Sequence, residues 1–206
     1  VRAIAVIALH DGLEFDIASI RGEAIRDEAD YQGVRIHLTA RLAKAQIPFH
    51  VDMNFGDPIW PVPQPTKVPR LLGGDIEIPA YPLTMVLAEK IVTAVERGPA
   101  NTRWRDFVDI AAIVATTEVP AGELDGSITA VADHRGVTAA PLAATLENMA
   151  ATAQPKWMAW RRKQHLETAT PQAFQDLVDA CTHFADPVLN RSAAGLRWFP
   201  EDRAWR

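Results

Sequence analysis

The chain has 206 residues, 48% of them hydrophobic and 23% charged, ordinary values for a folded chain that exclude a disordered one. A chain of this length buries roughly 70% of its unfolded surface and needs no disulfide or metal staple; its single cysteine, Cys181, excludes an internal disulfide and a cysteine-built zinc site and fits a reducing compartment. The net charge of −5 excludes a uniformly basic coat for nucleic acid, so any RNA contact has to use a local patch.

Taken in chain order, the first half reads as strands and the second as helices, which predicts an α+β fold. The apolar run Ala3 to Leu9 is too short to span a bilayer and predicts a buried strand. Phe15 to Arg26 is mixed, with short extended pieces, and the acidic stretch Asp27-Glu28-Ala29-Asp30 reads as a solvated turn. The clearest pattern follows. Val34, Ile36, Leu38, Ala40 and Leu42 alternate with Arg35, His37, Thr39 and Arg41, and Phe49, Val51, Met53 and Phe55 alternate with His50, Asp52 and Asn54. Period two over both runs predicts an antiparallel hairpin with one apolar and one polar face. Seven prolines between residues 56 and 82 predict a crossover that is not helical.

From Leu83 the period becomes helical. One helix is predicted over Leu83–Glu96, stopped by Gly98-Pro99, and a second from a cap at Asn101 or Thr102 to about Ala115. The remainder is alanine-rich and helical, with breaks predicted at Gly136, Pro141, Pro155, Pro171 and Pro187 and a boundary near residues 118–122. There is no P-loop, GxGxxG, GxSxG or HExxH motif.

Lys90 is the most informative residue. On a helical wheel it falls in the middle of a stripe formed by Leu83, Val86, Leu87 and Ala94. A lysine there must snorkel, pair with a carboxylate or bind an anion. Asp106 lies at the edge of the inward face of the next helix, defined by Phe107, Ile110, Ala111 and Val114, while Asp109 points further round. A tight turn at Gly98-Pro99 brings Lys90 and Asp106 within pairing range. The pair is either a bridge locking a helical hairpin or a phosphate-binding lysine oriented by an aspartate. Arg103 and Arg105 either aid an anion site or face solvent. Asp52 on its strand, beside Arg35 and Arg41, suits a metal or triphosphate site or a cross-strand salt bridge. Lys156, Arg161, Arg162 and Lys163, interleaved with Trp157 and Trp160, either grip RNA or belong to a helix whose tryptophans pack inward.

Several stretches, in this order, resemble the abortive-infection AbiEii/AbiGii nucleotidyltransferase toxins of type IV toxin–antitoxin systems: Tyr31 to Ile36, His50 to Asp57, Ala80-Tyr81-Pro82 leading to Leu87-Ala88-Glu89-Lys90-Ile91, and Arg97 to Ile110. The Ala-Glu-Lys followed by Asn-x-Arg-x-x-Asp-Phe-x-Asp is the specific combination. The resemblance implies a partial polymerase-β-like nucleotidyltransferase mixed sheet in a truncated α/β domain over residues 1–118, then a helical C-terminal domain over 119–206. It implies Lys90 and Asp106 as catalytic residues, Lys90 and Arg35 as nucleotide-binding, and Asp52 as a metal ligand, with Mg²⁺ and a nucleoside triphosphate (NTP) as cofactors. Its implied acceptor is an RNA such as the tRNA 3′ end, with Lys156, Arg161, Arg162 and Lys163 as the RNA contact, a separately encoded antitoxin as partner, and a cytoplasmic, membrane-free setting. The family's N-terminal Gly-Ser loop and Asp-x-Asp strand have no counterpart here, so the first residues align downstream of that motif. Two functions follow: a nucleotidyltransferase toxin impaired by loss of its metal-binding motif, or an inactive remnant that binds nucleotide, RNA or a partner protein.

Overall fold

The apolar run at residues 3–9 does not become the expected buried strand. The computed structural model of the protein describes residues 1–8, 11–26, 32–71 and 73–206. There Arg2–Ala5 form a short helix, α1, whose first turn closes on the Val1 carbonyl. Ile4, Val6 and Ile7 stay exposed. A continuous apolar run becomes a buried strand only when neighbouring strands take up its backbone groups, and no described strand pairs with this one. Leu9 and the acidic turn at 27–30 lie outside the described residues, as does Tyr31.

The chain divides into two units, Val1–Asp57 and Pro58–Arg206. The first carries a three-stranded antiparallel sheet in the order β1 (Leu13–Arg26), β2 (Gln32–Leu42), β3 (Ala45–Asn54). The mixed segment 15–26 is thus one strand, with a register shift between Asp16 and Arg21 that explains its irregular pattern. The β2–β3 hairpin has the predicted faces. Val34 pairs with Met53, Ile36 with Val51, Leu38 with Phe49 and Ala40 with Ile47, while Arg35 opposes Asp52 and His37 opposes His50. A two-residue loop at Ala43-Lys44 joins them, with Ala43 at φ 51°. Leu38 and Ala40 are buried, but the β3 side of the apolar face is open: Phe49 is 37% and Val51 42% exposed.

In the second unit the proline-rich crossover holds a hairpin of β4 (Gln64–Pro69) and β5 (Asp75–Ala80), although three of its residues are proline. A two-stranded ribbon is all edge, so a missing N–H costs no central ladder. Then come α2 (Leu83–Arg97), a 3-10 turn at Gly98–Ala100, and α3 (Trp104–Val114). Gly98 ends α2 at φ 53°. The cap of α3 is not Asn101 or Thr102 as the sequence suggests but Arg103, which makes no side-chain cap bond; Asn101 instead turns the chain just before it, its Oδ1 accepting the Arg103 N–H at 2.8 Å.

Four further helices follow: α4 (Ala121–Arg135), α5 (Leu142–Thr145), α6 (Met149–Lys163) and α7 (Phe174–Leu189). A small sheet of β6 (Val119–Pro120), β7 (Arg197–Phe199) and β8 (Ala204–Trp205) closes the unit. Pro155 and Pro187 do not break the chain as expected; they lie inside α6 and α7. Pro155 and Ala151, the residue whose carbonyl it leaves without a helical donor, are both exposed, so water takes the bond. Pro187 sits near the end of α7, where few helical bonds remain to lose.

The core of this unit runs from Met85 to Trp198, so α2 and α3 share it with α4–α7. Phe174 is its hub, with Trp104 at 5.2 Å and Phe107 at 5.6 Å edge-on and Trp157 at 5.2 Å. The tryptophan N–H groups are all satisfied by backbone at the buried tail: Trp198 donates to the Val114 carbonyl at 2.8 Å and Trp205 to that of Phe184 at 3.0 Å. No helix among the described residues is long and apolar enough to cross a membrane.

Candidate active site

The α2–α3 hairpin builds a charge cluster at its open flank. α2 packs on α4 as well as on α3, so its buried arc is broad, taking in Met85, Leu87, Ala88, Ile91, Val92 and Ala94. This differs from the sequence-predicted stripe: Leu83 is 48% exposed, and Lys90 stands on the flank of the buried arc, not at its centre. Its ammonium turns toward α3.

There it meets two carboxylates. Lys90 Nζ donates to Asp106 Oδ1 at 3.0 Å and to Asp109 Oδ2 at 2.8 Å. Asp106 Oδ2 pairs with Arg103 Nε at 2.9 Å. Charges therefore alternate from Arg103 through Asp106 and Lys90 to Asp109, and the four cancel. The side chains of Asp106 and Lys90 are 10% and 18% exposed, that of Asp109 35%. Burial by itself would lower the Lys90 pKa, but hydrogen bonds to Asp109 and Asp106, and their charges, outweigh it and hold the ammonium above its ordinary value. Asp106 lies in the first turn of α3, where the helix dipole favours a carboxylate. Just ahead of α2, Tyr81 OH donates to Glu89, fixing the carboxylate that precedes Lys90 in sequence. Asn101 is 1% exposed and its Nδ2 has no partner among the described residues.

The structure brings Lys90 and Asp106 together, as the hairpin argument requires. It also adds Asp109 and Arg103, which the sequence left aside. The signal for Asp109 was present: residues three apart on a helix are neighbours, so a long lysine reaching Asp106 also reaches Asp109.

Asp52 and Arg35 belong to the first unit. They form a two-pronged ion pair, Nε–Oδ1 at 2.7 Å and Nη2–Oδ2 at 2.8 Å. The Arg35 hydrogen bond holds the Asp52 carboxyl below its ordinary pKa, and the same bond raises that of Arg35. Beside them His37 Nε2 lies 2.9 Å from Glu23 Oε1, with the His50 ring 5.9 Å away. Arg35 thus takes one hydrogen bond on each Asp52 oxygen and neutralises its charge, and no group of three or more His, Cys, Asp or Glu among the described residues could hold a metal ion. With its charge paired to Arg35, Asp52 does not fit a magnesium ligand as it stands.

Of the basic residues on α6, Lys156, Arg162 and Lys163 are exposed. Arg161 is 4% exposed and turned inward, donating to the Thr170 hydroxyl and to the carbonyls of Thr170 and Glu167. Trp157 is buried and stacked on Trp160 at 5.5 Å. The tryptophans serve the core, and Arg161 pins the loop that follows α6. Arg105, at the start of α3, donates to Gln164 at 3.3 Å and so ties the charge cluster's helix to the basic end of α6.

A family model described as "Nucleotidyl transferase AbiEii toxin, Type IV TA system" matches residues 1–180. No curated protein and no solved structure matches the chain.

Proposed function

The chain belongs to the AbiEii nucleotidyltransferase toxin family of type IV toxin–antitoxin systems, and from that premise we propose that the Lys90 cluster is where the phosphates of an NTP are held for transfer of its nucleotide to RNA. The observation that carries this is the Lys90 ammonium, mostly buried, kept charged by Asp106 and Asp109, yet placed at the open flank of the α2–α3 hairpin. A charged lysine in a partly desolvated setting neutralises phosphate more strongly than one in water. Asp106, locked by Arg103, aims it.

In the reaction an acceptor hydroxyl oxygen bonds to the α-phosphorus, the bond from that phosphorus to pyrophosphate breaks, and the hydroxyl proton passes to solvent. Lys90 offsets the charge that develops on the phosphoryl oxygens. The acceptor is an RNA end such as that of tRNA, gripped by Lys156, Arg162 and Lys163. The contact between Arg105 and Gln164 supports this by joining that basic end of α6 to the start of α3. Arg35 and Asp52 are the first unit's own candidate nucleotide and metal contacts, and they serve as such only if their mutual pair opens. The setting is cytoplasmic and the protein partner a cognate antitoxin. One observation favours a second reading, a chain that binds nucleotide or RNA without turning it over: Asp52 is neutralised by Arg35 and the described carboxylates form no metal set.

The test is transfer of label from each α-labelled NTP, with magnesium, to total tRNA. Incorporation by the parent and its loss in Lys90→Ala and Asp106→Ala is the expected result. No incorporation by the folded parent, with nucleotide still bound, sinks the transferase and leaves the binding reading.

A further inference from the structure

Lys90 is held by two carboxylates that are not equivalent. Asp106 is 10% exposed, lies in the first turn of α3 and has its second oxygen fixed by Arg103 at 2.9 Å. Asp109 is 35% exposed, and Lys90 is its sole hydrogen-bond or ion-pair partner among the described residues. The ammonium has three N–H bonds. Asp106 takes one and Asp109 another, and the third has no protein partner among the described residues.

We propose that Asp109 is a displaceable counter-ion that sets the affinity of Lys90 for phosphate: it covers the ammonium in the free protein and yields its place to a triphosphate, while Asp106 stays. This rests on the reading of Lys90 as a phosphate site. The unpartnered N–H gives an arriving polyanion its first contact, but Asp109 stands beside it, and two anions on one ammonium repel, so a second phosphate contact requires Asp109 to leave. Displacing Asp106 would orphan a buried carboxylate and break a second pair with Arg103. Displacing Asp109 returns a carboxylate to water with no other pair to break. The free protein therefore holds its lysine charged and aimed but covered. Asp109 is a positioning residue in this account, acting on phosphate through Lys90.

The experiment measures dissociation constants for inorganic triphosphate and for each of the four NTPs, with and without magnesium, on the full chain and on Asp109→Asn and Asp106→Asn, with melting curves to show each is folded. The expected result is a Kd lowered roughly two- to fivefold by Asp109→Asn, the size of losing one part-exposed ion pair, and unchanged or raised by Asp106→Asn. Binding by Asp109→Asn alone, with none by the parent, supports the proposal in its strongest form. Equal affinity of parent and Asp109→Asn overturns it and leaves the phosphate site standing. A similar gain in both variants also overturns it, because it means that any lost negative charge suffices. No binding by the parent or by either variant removes the phosphate site itself, and the proposal with it.

Discussion

The two units treat charge in opposite ways. In the second, Lys90, Asp106 and Arg161 are drawn into or against a core that contains Trp157, Phe107 and Phe174. In the first, Arg35, Asp52, Glu23 and His37 line the open face of a three-stranded sheet, and much of the opposite apolar face is open as well. An ion pair in water exchanges hydration for a weak attraction, whereas one that is mostly buried cannot lose a partner without stranding the other. Charges in the helical unit should therefore govern stability and chemistry, and those in the sheet should matter little to folding.

The comparison breaks most visibly at the aromatic residues. Trp157→Ala should cost about 3–5 kcal/mol, as expected for a fully buried ring, while Phe49→Ala on the open face of β3 should cost far less. Phe49→Ser and Val51→Ser together should reduce the fluorescence of an apolar dye bound to the protein, because that face is where apolar surface is open. Denaturant melts and dye titrations check both, and equal costs for Trp157 and Phe49 would erase the contrast.

Next comes the contact of the crossover with α4. Trp60 lies over Gly126, where an added Cβ would come within 2.5 Å of the ring, and Ser127 donates to the Trp60 carbonyl at 2.9 Å. Gly126→Ala should push the Trp60 ring off α4, a loss that outweighs the roughly 1 kcal/mol alanine gains over glycine inside a helix and leaves a net cost of about 1 kcal/mol. An unchanged melting temperature would mean that Trp60 does not rest there.

Lys90→Ala should cost about 1–3 kcal/mol, since it strands Asp106 with Arg103 alone. Lys90→Met should cost less, because the stem contacts along α2 remain. The pH dependence has a definite sign. The folded pKa of Lys90 is raised above 10.5, so its contribution is complete below that value and disappears as pH rises through the raised one. The gap between parent and Lys90→Ala in chemical melts should stay level from about pH 6 to about 10 and close only above 10.5. A gap that widens on going alkaline contradicts the ion-pair geometry.

Arg35→Ala should have the smallest effect, and one that fades as salt is raised, because the pair with Asp52 is open to solvent. The lowered Asp52 pKa gives its contribution the opposite pH sense: present above 3.8, lost as pH falls.

Much of this was legible in the sequence where one physical rule acted alone. Strict alternation over 34–42 and 49–55 fixed both faces, but it left Asp52 beside either Arg35 or Arg41, because registers two residues apart share the same faces; the tight loop at Ala43-Lys44 sets the register that pairs Asp52 with Arg35. Gly98-Pro99 fixed the turn that delivers Asp106 to Lys90. The misses came where two rules competed. The run at 3–9 was apolar enough for a strand but lacked neighbours to pair with, which local sequence does not report. The prolines of 65–79 excluded a helix yet allowed an edge ribbon. Arg161 looked like part of a basic surface, but it lies four residues after buried Trp157 and so shares its inward face. Lys90 was placed too deep because the wheel could not anticipate that α4 also covers α2.

The most direct measurement of the central claim is nucleotide binding by the parent and by Lys90→Met, followed by titration calorimetry with melting curves on the same samples. The account predicts that the parent binds an NTP and that Lys90→Met loses this binding while still melting as a folded protein, at a temperature between those of Lys90→Ala and the parent, because the substitution keeps the stem but strands Asp106. Equal binding by both proteins, or a folded parent that binds no nucleotide, contradicts it.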